Sequence, residues 1–148
     1  MTLRLGLTGA ALMWLTLIVL SPVALASGRL STLTMAVYHA GSLVCHQRPE
    51  RSFHLAGAKL PVCARCFGLY LSGAVGLMIA SRRRGSIAAA TSRLLLVLAA
   101  LPIAITVALE WLGLIHTTNI VRMLTGLPLG FAAAVVIARS LARPSDAI

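Results

Sequence analysis

The sequence predicts an all-α integral membrane protein: a small bundle of about four transmembrane helices, with a segment that contains cysteine and histidine between the first and second spans. Composition is the first observation. Of the 148 residues, 59% are hydrophobic and 11% are charged, whereas soluble domains are about half apolar and about a quarter charged. The second observation is a mean hydropathy of +0.94. The third is a set of long apolar runs, each close to the length of about 20 residues that crosses a hydrocarbon core.

The apolar runs predict spans at about residues 5–27, 61–81, 94–115 and 120–141, all within a single membrane domain of residues 1–148. The first run also resembles a secretory signal peptide, because Arg4 precedes it and it ends in small residues typical of a cleavage site. Its length favours a helix that is retained, and the alternative of a cleaved signal stays open.

Small residues share one face on each of two predicted spans, because they recur every four positions. They are Gly68, Ser72 and Gly76 on the second span and Gly126, Gly130 and Ala134 on the fourth. Small residues at this spacing let two helices approach closely in lipid. We therefore expect both faces to be buried against neighbouring helices.

The net charge of +10 does not indicate nucleic-acid binding, because the basic residues lie between apolar runs rather than on a hydrated face. Basic residues beside spans are attracted to anionic head groups, so the expected partner is membrane lipid. Cytoplasmic loops are enriched in arginine and lysine, and the run Arg82–Arg84 favours the cytoplasm for the loop after the second span. The segment between the first two spans then faces outward from the cell membrane.

The segment from Cys45 to Cys66 holds all three cysteines of the chain and two of its four histidines. Cys63 and Cys66 form a CxxC pair where the second span begins, and Cys45 lies upstream. Thiolate and imidazole groups in a tetrahedral set are typical zinc ligands, and metal binding would give this polar segment one conformation. The pattern predicts a zinc site of the three cysteines and one histidine, either His46 or His54.

Two other interpretations use the same sulfur atoms. A CxxC pair at the start of a helix favours a reactive thiolate, so the chain is alternatively a membrane thiol–disulfide oxidoreductase that works with a quinone. In the remaining interpretation the cysteines are small apolar residues of a packed core. The sequence therefore does not decide whether the protein is an enzyme.

Arginines in and near the cysteine segment predict a binding site for an anion. The candidates are Arg48, Arg51, Arg65 and Arg122. Arginine side chains match phosphate and carboxylate groups in a bidentate manner, so we expect an outward-facing pocket for an anionic lipid or for another membrane protein. Arginines at helix ends also extend to the membrane interface without a ligand, and this alternative fits Arg65 and Arg122.

Glu110 is an ionisable residue within the third predicted span, and such residues usually have a charged partner. Arg122 is the expected partner, because the two lie on consecutive helices on either side of a short turn. We expect Glu110, Arg51 and Arg122 to form a polar cluster beneath the zinc site. Asn119 is assigned to the same polar set and is expected to cap the fourth helix.

Three stretches, CHQRPERSF, PVCARCFGLYLSG and TNIVRMLTGLPLG, resemble the signature of the family of small membrane proteins called "domain of unknown function 2085". The resemblance covers about residues 44–131. It implies a membrane fold and this choice of site residues, and it implies no reaction. Because His46 belongs to the signature, the resemblance favours His46 over His54 as the fourth ligand. The predicted zinc ligands are thus Cys45, His46, Cys63 and Cys66.

Overall fold

The computed structural model of the chain describes residues 2–28, 31–82 and 87–141. These residues form five α-helices: α1 (Thr2–Ala26), α2 (Thr32–Val44), α3 (Ala64–Ser81), α4 (Ala89–Trp111) and α5 (Asn119–Ser140). A short 3-10 turn (Pro49–Arg51) and an antiparallel hairpin of β1 (His54–Leu55) and β2 (Ala58–Lys59) lie between α2 and α3. Arg83 and Arg84, on which the predicted orientation depends, lie outside the described residues.

Four of the described helices are long and apolar enough to cross a membrane: α1 over Leu3–Ala26, and α3, α4 and α5 over their whole lengths. α2 has 13 residues, fewer than the about 20 that a crossing needs. The structure therefore confirms the predicted class, an all-α membrane protein of about four spans with the cysteine segment between the first two.

α4 ends at Trp111, before the predicted end at residue 115, because a glycine stops the helix. Gly113 has a φ of +69°, which glycine adopts without steric penalty. Its N–H donates to the carbonyl oxygen of Glu110 at 3.2 Å, and the N–H of Leu114 donates to that of Leu109 at 3.0 Å. This pair of bonds is the Schellman motif that closes many helix C-termini.

The other two differences from the predicted spans lie at helix starts. α4 begins at Ala89, earlier than the predicted residue 94, because alanine is the strongest helix former and Ala89 and Ala90 extend the apolar run. α3 begins at Ala64 rather than at residue 61, since Cys63 has an extended backbone with φ −71° and ψ 163° and is the N-cap.

α3 and α5 pack in parallel through the two predicted faces of small residues. A Cβ atom added at Gly68 would meet the carbonyl oxygen of Met123. Two turns further on, a Cβ atom added at Gly76 would lie 2.9 Å from the Cβ of Ala134. Because the two backbones are in direct contact, the predicted close packing of these faces is confirmed.

α1 runs antiparallel to α3 and extends past its first residue. The hydroxyl oxygens of Thr8 and Ser81 are 3.3 Å apart, and the rings of Trp14 and Tyr70 meet edge to face with their centroids 6.2 Å apart. Ile18 is fully buried against the cysteine segment, roughly 12 Å along the axis from the last residue of α1. The segment therefore folds down along the side of α1.

α4 lies at the edge of the bundle. Among its described residues none is buried as a whole, and it packs mainly on α5. Large apolar side chains such as Leu94, Val97 and Leu98 are exposed along it, as expected for a helix whose outer surface faces lipid.

Candidate metal centre

The sulfur atoms of Cys45, Cys63 and Cys66 all lie within 4.8 Å of one another, and we call these three residues the cysteine group. Two sulfurs bound to one tetrahedral zinc at about 2.3 Å are about 3.8 Å apart. The thiols of the three residues are free. A contraction of about an ångström would therefore convert the cysteine group into a set of zinc ligands.

Close backbone packing brings the ends of α2 and α3 together. Cys45 directly follows α2, and its N–H donates to the carbonyl oxygen of Gly41 at 2.9 Å. A Cβ atom added at Gly41 would meet the carbonyl oxygen of Pro61, so only glycine allows α2 to lie this close to the chain that leads into α3. Cys63 is the N-cap of α3, and Cys66 lies in its first turn.

One backbone group hydrogen-bonds to the sulfur of Cys45: the N–H of Cys63 donates to it at 3.1 Å. Two residues after Cys45, Gln47 has a φ of +48°, a left-handed conformation that is unfavourable by roughly 1–2 kcal/mol for a residue with a side chain. The chain therefore adopts an unfavourable backbone conformation close to the residue whose sulfur accepts this bond.

The thiols of Cys45 and Cys63 have pKa values shifted in opposite directions. The pKa of the Cys45 thiol lies well below its ordinary value, because the thiol of Cys63, and after it that of Cys66, hydrogen-bonds to the Cys45 sulfur. The same contact with Cys45 raises the pKa of Cys63. Of the two thiols, that of Cys45 therefore loses its proton more readily, and a metal ion would displace protons from the group on binding.

Apolar side chains surround the cysteine group on the side of α1 and at the start of α3. Ile18, Leu60 and Val62 are buried with Cys45, and Trp14, Phe53, Phe67 and Tyr70 pack around them. Cys45 is 8% exposed, while Cys63 and Cys66 are half-buried. The group therefore combines a sealed side with a side that is partly open.

The two histidines of the segment are not part of the cysteine group. His46 and His54 are both exposed, and neither ring contributes a nitrogen to the ligand atoms within 4.8 Å among the described residues. Of the predicted zinc ligands, the three cysteines come together. His46 as the fourth ligand stays a prediction.

A second polar centre surrounds the carboxylate of Glu110, whose side chain is 6% exposed. Nη2 of Arg65 donates to it at 2.8 Å. Arg122 donates from Nη2 at 2.9 Å and from Nε at 3.1 Å, and the hydroxyl of Thr117 also donates. The predicted pair of Glu110 and Arg122 is therefore present, and Arg65 and Thr117 complete it.

Asn119 connects this centre to the cysteine segment. Nη1 of Arg122 donates to Oδ1 of Asn119 at 3.1 Å, and Nδ2 of Asn119 donates to the carbonyl oxygen of Ser52 at 3.1 Å. The prediction that Asn119 caps the fourth helix is wrong, because Thr118 is the N-cap and its side chain accepts from the N–H of Val121. Glu110, Arg65, Arg122, Thr117 and Asn119 are called the Glu110 cluster below.

The other two predicted arginines make no hydrogen bond or ion pair with the Glu110 cluster in the part of the chain that the structure describes. Arg48 is 4.0 Å from Glu50, and both side chains are mostly exposed. Arg51 is half-buried on the 3-10 turn. Because Arg65 and Arg122 share one carboxylate, the Glu110 cluster holds one positive charge in excess. Among the described residues, Nε of Arg65 is buried without a hydrogen-bond partner.

A ring of three residues that holds the hairpin was not predicted. The hydroxyl of Tyr38 donates to the carbonyl oxygen of Lys59 at 2.5 Å, and Nζ of Lys59 donates to that of Gln47 at 2.7 Å. Nε2 of Gln47 donates to the carbonyl oxygen of Tyr38 at 2.6 Å. Because the acceptors are backbone atoms, the side chains in the sequence do not indicate these hydrogen bonds. The one hint in the sequence is a lysine among mainly apolar residues, which needs polar partners.

The fold and the two polar centres define a small helical membrane protein whose inter-helix segment gathers three cysteines at one end of the bundle. The chain belongs to the family described as "Predicted membrane protein (DUF2085)", whose sequence profile matches residues 45–136. The match runs from the first cysteine into α5, and it confirms the resemblance that the sequence motifs indicated.

Two archaeal proteins are similar to the chain. The uncharacterized protein MJ1492 of Methanocaldococcus jannaschii is 34% identical over 106 residues, which are 71% of this chain and 68% of that protein. An uncharacterized protein of Methanothermobacter thermautotrophicus is 37% identical over 93 residues, 63% of this chain and 83% of its own length. No solved structure matches the chain significantly.

Proposed function

We propose that Cys45, Cys63 and Cys66 bind one zinc ion that fastens the segment between α2 and α3 to the membrane bundle. The observation that carries the proposal is the convergence of three sulfurs within 4.8 Å, with a backbone N–H donating to one of them at 3.1 Å. Thiolate ligands favour zinc over metals such as magnesium and calcium, which prefer oxygen ligands. Zinc would therefore stabilise a conformation in which the three sulfurs already lie close together.

The structural role follows from the elements that the three ligands would join. Cys45 follows α2, while Cys63 and Cys66 belong to the start of α3. An ion bound to all three would close the loop that contains the 3-10 turn and the hairpin. Because a metal that binds only the folded form stabilises that form directly, zinc would hold this polar loop against the apolar side of α1.

Metal content of the purified full-length chain tests the proposal. We expect about one zinc per chain in detergent, and three thiols that become reactive only after chelation. Serine in place of any one cysteine should abolish zinc binding, whereas the matched variant Ser42→Ala, on the exposed side of α2, should retain it. A chain that folds without metal and keeps three reactive thiols would contradict the proposal.

The alternative function is that of a thiol–disulfide oxidoreductase that works with a quinone, and the closeness of the third thiol favours it. Oxidation of Cys63 and Cys66 to a disulfide would release two protons and two electrons, which would reduce a quinone to a quinol, and Cys45 lies close enough to exchange with that disulfide. A Cys63–Cys66 disulfide that forms in metal-free protein on addition of a quinone, with quinol as the product, and that an added dithiol reverses, would favour this function over the zinc site.

We further propose that the cysteine segment faces outward at the cell membrane. The support is the cluster of arginines after α3, since basic loops are retained in the cytoplasm. A membrane-impermeant maleimide should label Ala56→Cys, at the exposed turn of the hairpin, in intact cells. The matched variant Arg82→Cys, exposed after α3, should be labelled only after lysis. The reverse labelling pattern would show that the cysteine segment faces the cytoplasm.

An anionic lipid is the proposed partner of the arginines beside this segment. The support is the excess positive charge of the Glu110 cluster, together with Arg51 on the neighbouring turn. Arg51→Gln should reduce co-purified anionic lipid without loss of zinc, and Arg48→Gln, an exposed position, is the matched control. Equal lipid content in both variants and in the unmodified chain would contradict the proposed lipid site.

A further inference from the structure

The cysteine group supplies three ligands to an ion that prefers four. Zinc in proteins is almost always four-coordinate, and sites with three protein ligands keep the fourth position for water or substrate. Across residues 2–28, 31–82 and 87–141, the ligand atoms within 4.8 Å of one another are the sulfurs of Cys45, Cys63 and Cys66. The arrangement of these atoms therefore matches that of an open zinc site.

We propose that a low-molecular-weight thiol from outside the chain binds the fourth position of this zinc. The inference rests on the proposed zinc site and deepens it, because it names the class of ligand that the site takes. Cys63 and Cys66 are half-buried, so a small ligand can reach the group from their side. Cys45, on the side of α1, is sealed at 8% exposure.

The apolar surroundings favour sulfur over oxygen ligands. Rings of Trp14, Phe53, Phe67 and Tyr70 pack against the buried cluster that contains Cys45, as Cys63 and Cys66 do. A carboxylate or phosphate would lose much of its hydration on entering such a site, whereas a thiol enters uncharged and releases its proton to solvent when it binds the zinc as a thiolate. Zinc is also borderline-soft and binds thiolates well. The apolar surroundings and the ion therefore favour the same class of ligand.

The charge beside the site also favours an anionic thiolate. Zinc with three thiolates carries one negative charge, and a fourth thiolate adds another. Arg65 lies between Cys63 and Cys66, and the Glu110 cluster to which it belongs has one positive charge in excess. That charge offsets part of the repulsion that a second negative charge would meet.

His46 is the competing fourth ligand. It adjoins Cys45 in the sequence, yet it is exposed and lies outside the cysteine group. The variant His46→Ala therefore separates the two possibilities, because a ligand from outside the chain does not need this ring. His54→Ala serves as the matched control, since His54 is also exposed and lies on the hairpin.

The test uses the full-length chain in detergent, loaded with cobalt(II) in place of zinc, because the visible absorption of cobalt reports the number and kind of its ligands. Ethanethiol is titrated into the unmodified chain, His46→Ala and His54→Ala, with acetate as the oxygen-ligand probe. Cobalt content is measured after gel filtration. We expect ethanethiol to shift the absorption bands saturably and equally in all three proteins, with cobalt retained and with no shift from acetate.

Three results would overturn the inference without contradicting the proposed zinc site. Ethanethiol that leaves the spectrum unchanged, while His46→Ala alone alters it, would assign the fourth position to His46. An equal response to acetate would reject the thiol class. Removal of cobalt by ethanethiol would show competition with the cysteines instead of completion of the site. A chain that binds neither cobalt nor zinc would instead refute the proposed zinc site itself.

Discussion

The cysteine group and the Glu110 cluster lie at the same end of the bundle, and they are built in opposite ways. The three sulfurs come from one short stretch of sequence and lie within 4.8 Å of one another, close enough to hold an ion. The Glu110 cluster draws its side chains from α3, α4, α5 and the turn before α5, and the carboxylate already has its donors. The first centre is therefore expected to depend on a metal from solution, and the second on the protein alone.

Metal removal should produce the largest effect, and only at the first centre. Chelation should strip all zinc from the proposed site and raise hydrogen–deuterium exchange over residues 45–63, because the ion would hold that loop. The contact between α3 and α5 should keep its protection, since it rests on glycine packing. Unchanged exchange over residues 45–63 after complete loss of metal would contradict the structural role of zinc.

Glu110→Ala should be the most destabilising change at the second centre. It leaves Arg65 and Arg122 mostly buried without a counter-charge, which is expected to lower the free energy of unfolding in detergent by about 3–5 kcal/mol. Zinc content should not change. Glu50→Ala is the matched control, because its exposed pair with Arg48 should contribute less than about 1 kcal/mol. Loss of zinc in Glu110→Ala would mean that the two centres are not independent.

The two arginines of the Glu110 cluster should differ when each is replaced by lysine. Arg122 donates two bonds to Glu110 and one to Asn119, and one ammonium group cannot reproduce that fork. We expect Arg122→Lys to lower the free energy of unfolding by about 2 kcal/mol. Arg65→Lys should cost less, because Arg65 makes one bond to the carboxylate. Equal losses in thermal or denaturant unfolding would contradict this ranking.

Asn119→Ala and Thr118→Ala should have the smallest effects, about 1 kcal/mol each, at different places. Loss of the Asn119 amide breaks the bond to Ser52, so exchange should rise on the 3-10 turn. Loss of the Thr118 hydroxyl removes the cap, so exchange should rise in the first turn of α5 alone. The same exchange pattern in both variants would show that Asn119 does not link α5 to the segment.

The sequence predicted that the three cysteines come together because they are close to one another in the chain. Three cysteines around a helix start indicate a shared site before any tertiary contact is known. What the sequence did not reveal was the backbone around them: Gln47 has a left-handed conformation with no glycine to indicate it.

The second centre could be predicted only in part. Glu110 and Arg122 lie on either side of one turn, so their pairing followed from chain proximity. Arg65 lies 45 positions from Glu110, and its contact depends on which face α3 turns toward α4. Arg51 was expected to join them, yet it lies on the 3-10 turn while Asn119 makes the connection to the segment. Side-chain reach across helices has no signature in a single sequence.

The first turn of α3 has a consequence for how that helix is oriented about its own axis. Neighbouring residues on a helix point about 100° apart, so Arg65 and Cys66 project in different directions, one toward Glu110 and the other toward Cys45. The glycine contact with α5 also opposes rotation of α3, because any side chain turned into it would meet backbone atoms. Rotation in either direction would pull one of these two side chains away from its partner. The two contacts therefore fix the rotation of α3 about its axis at this end.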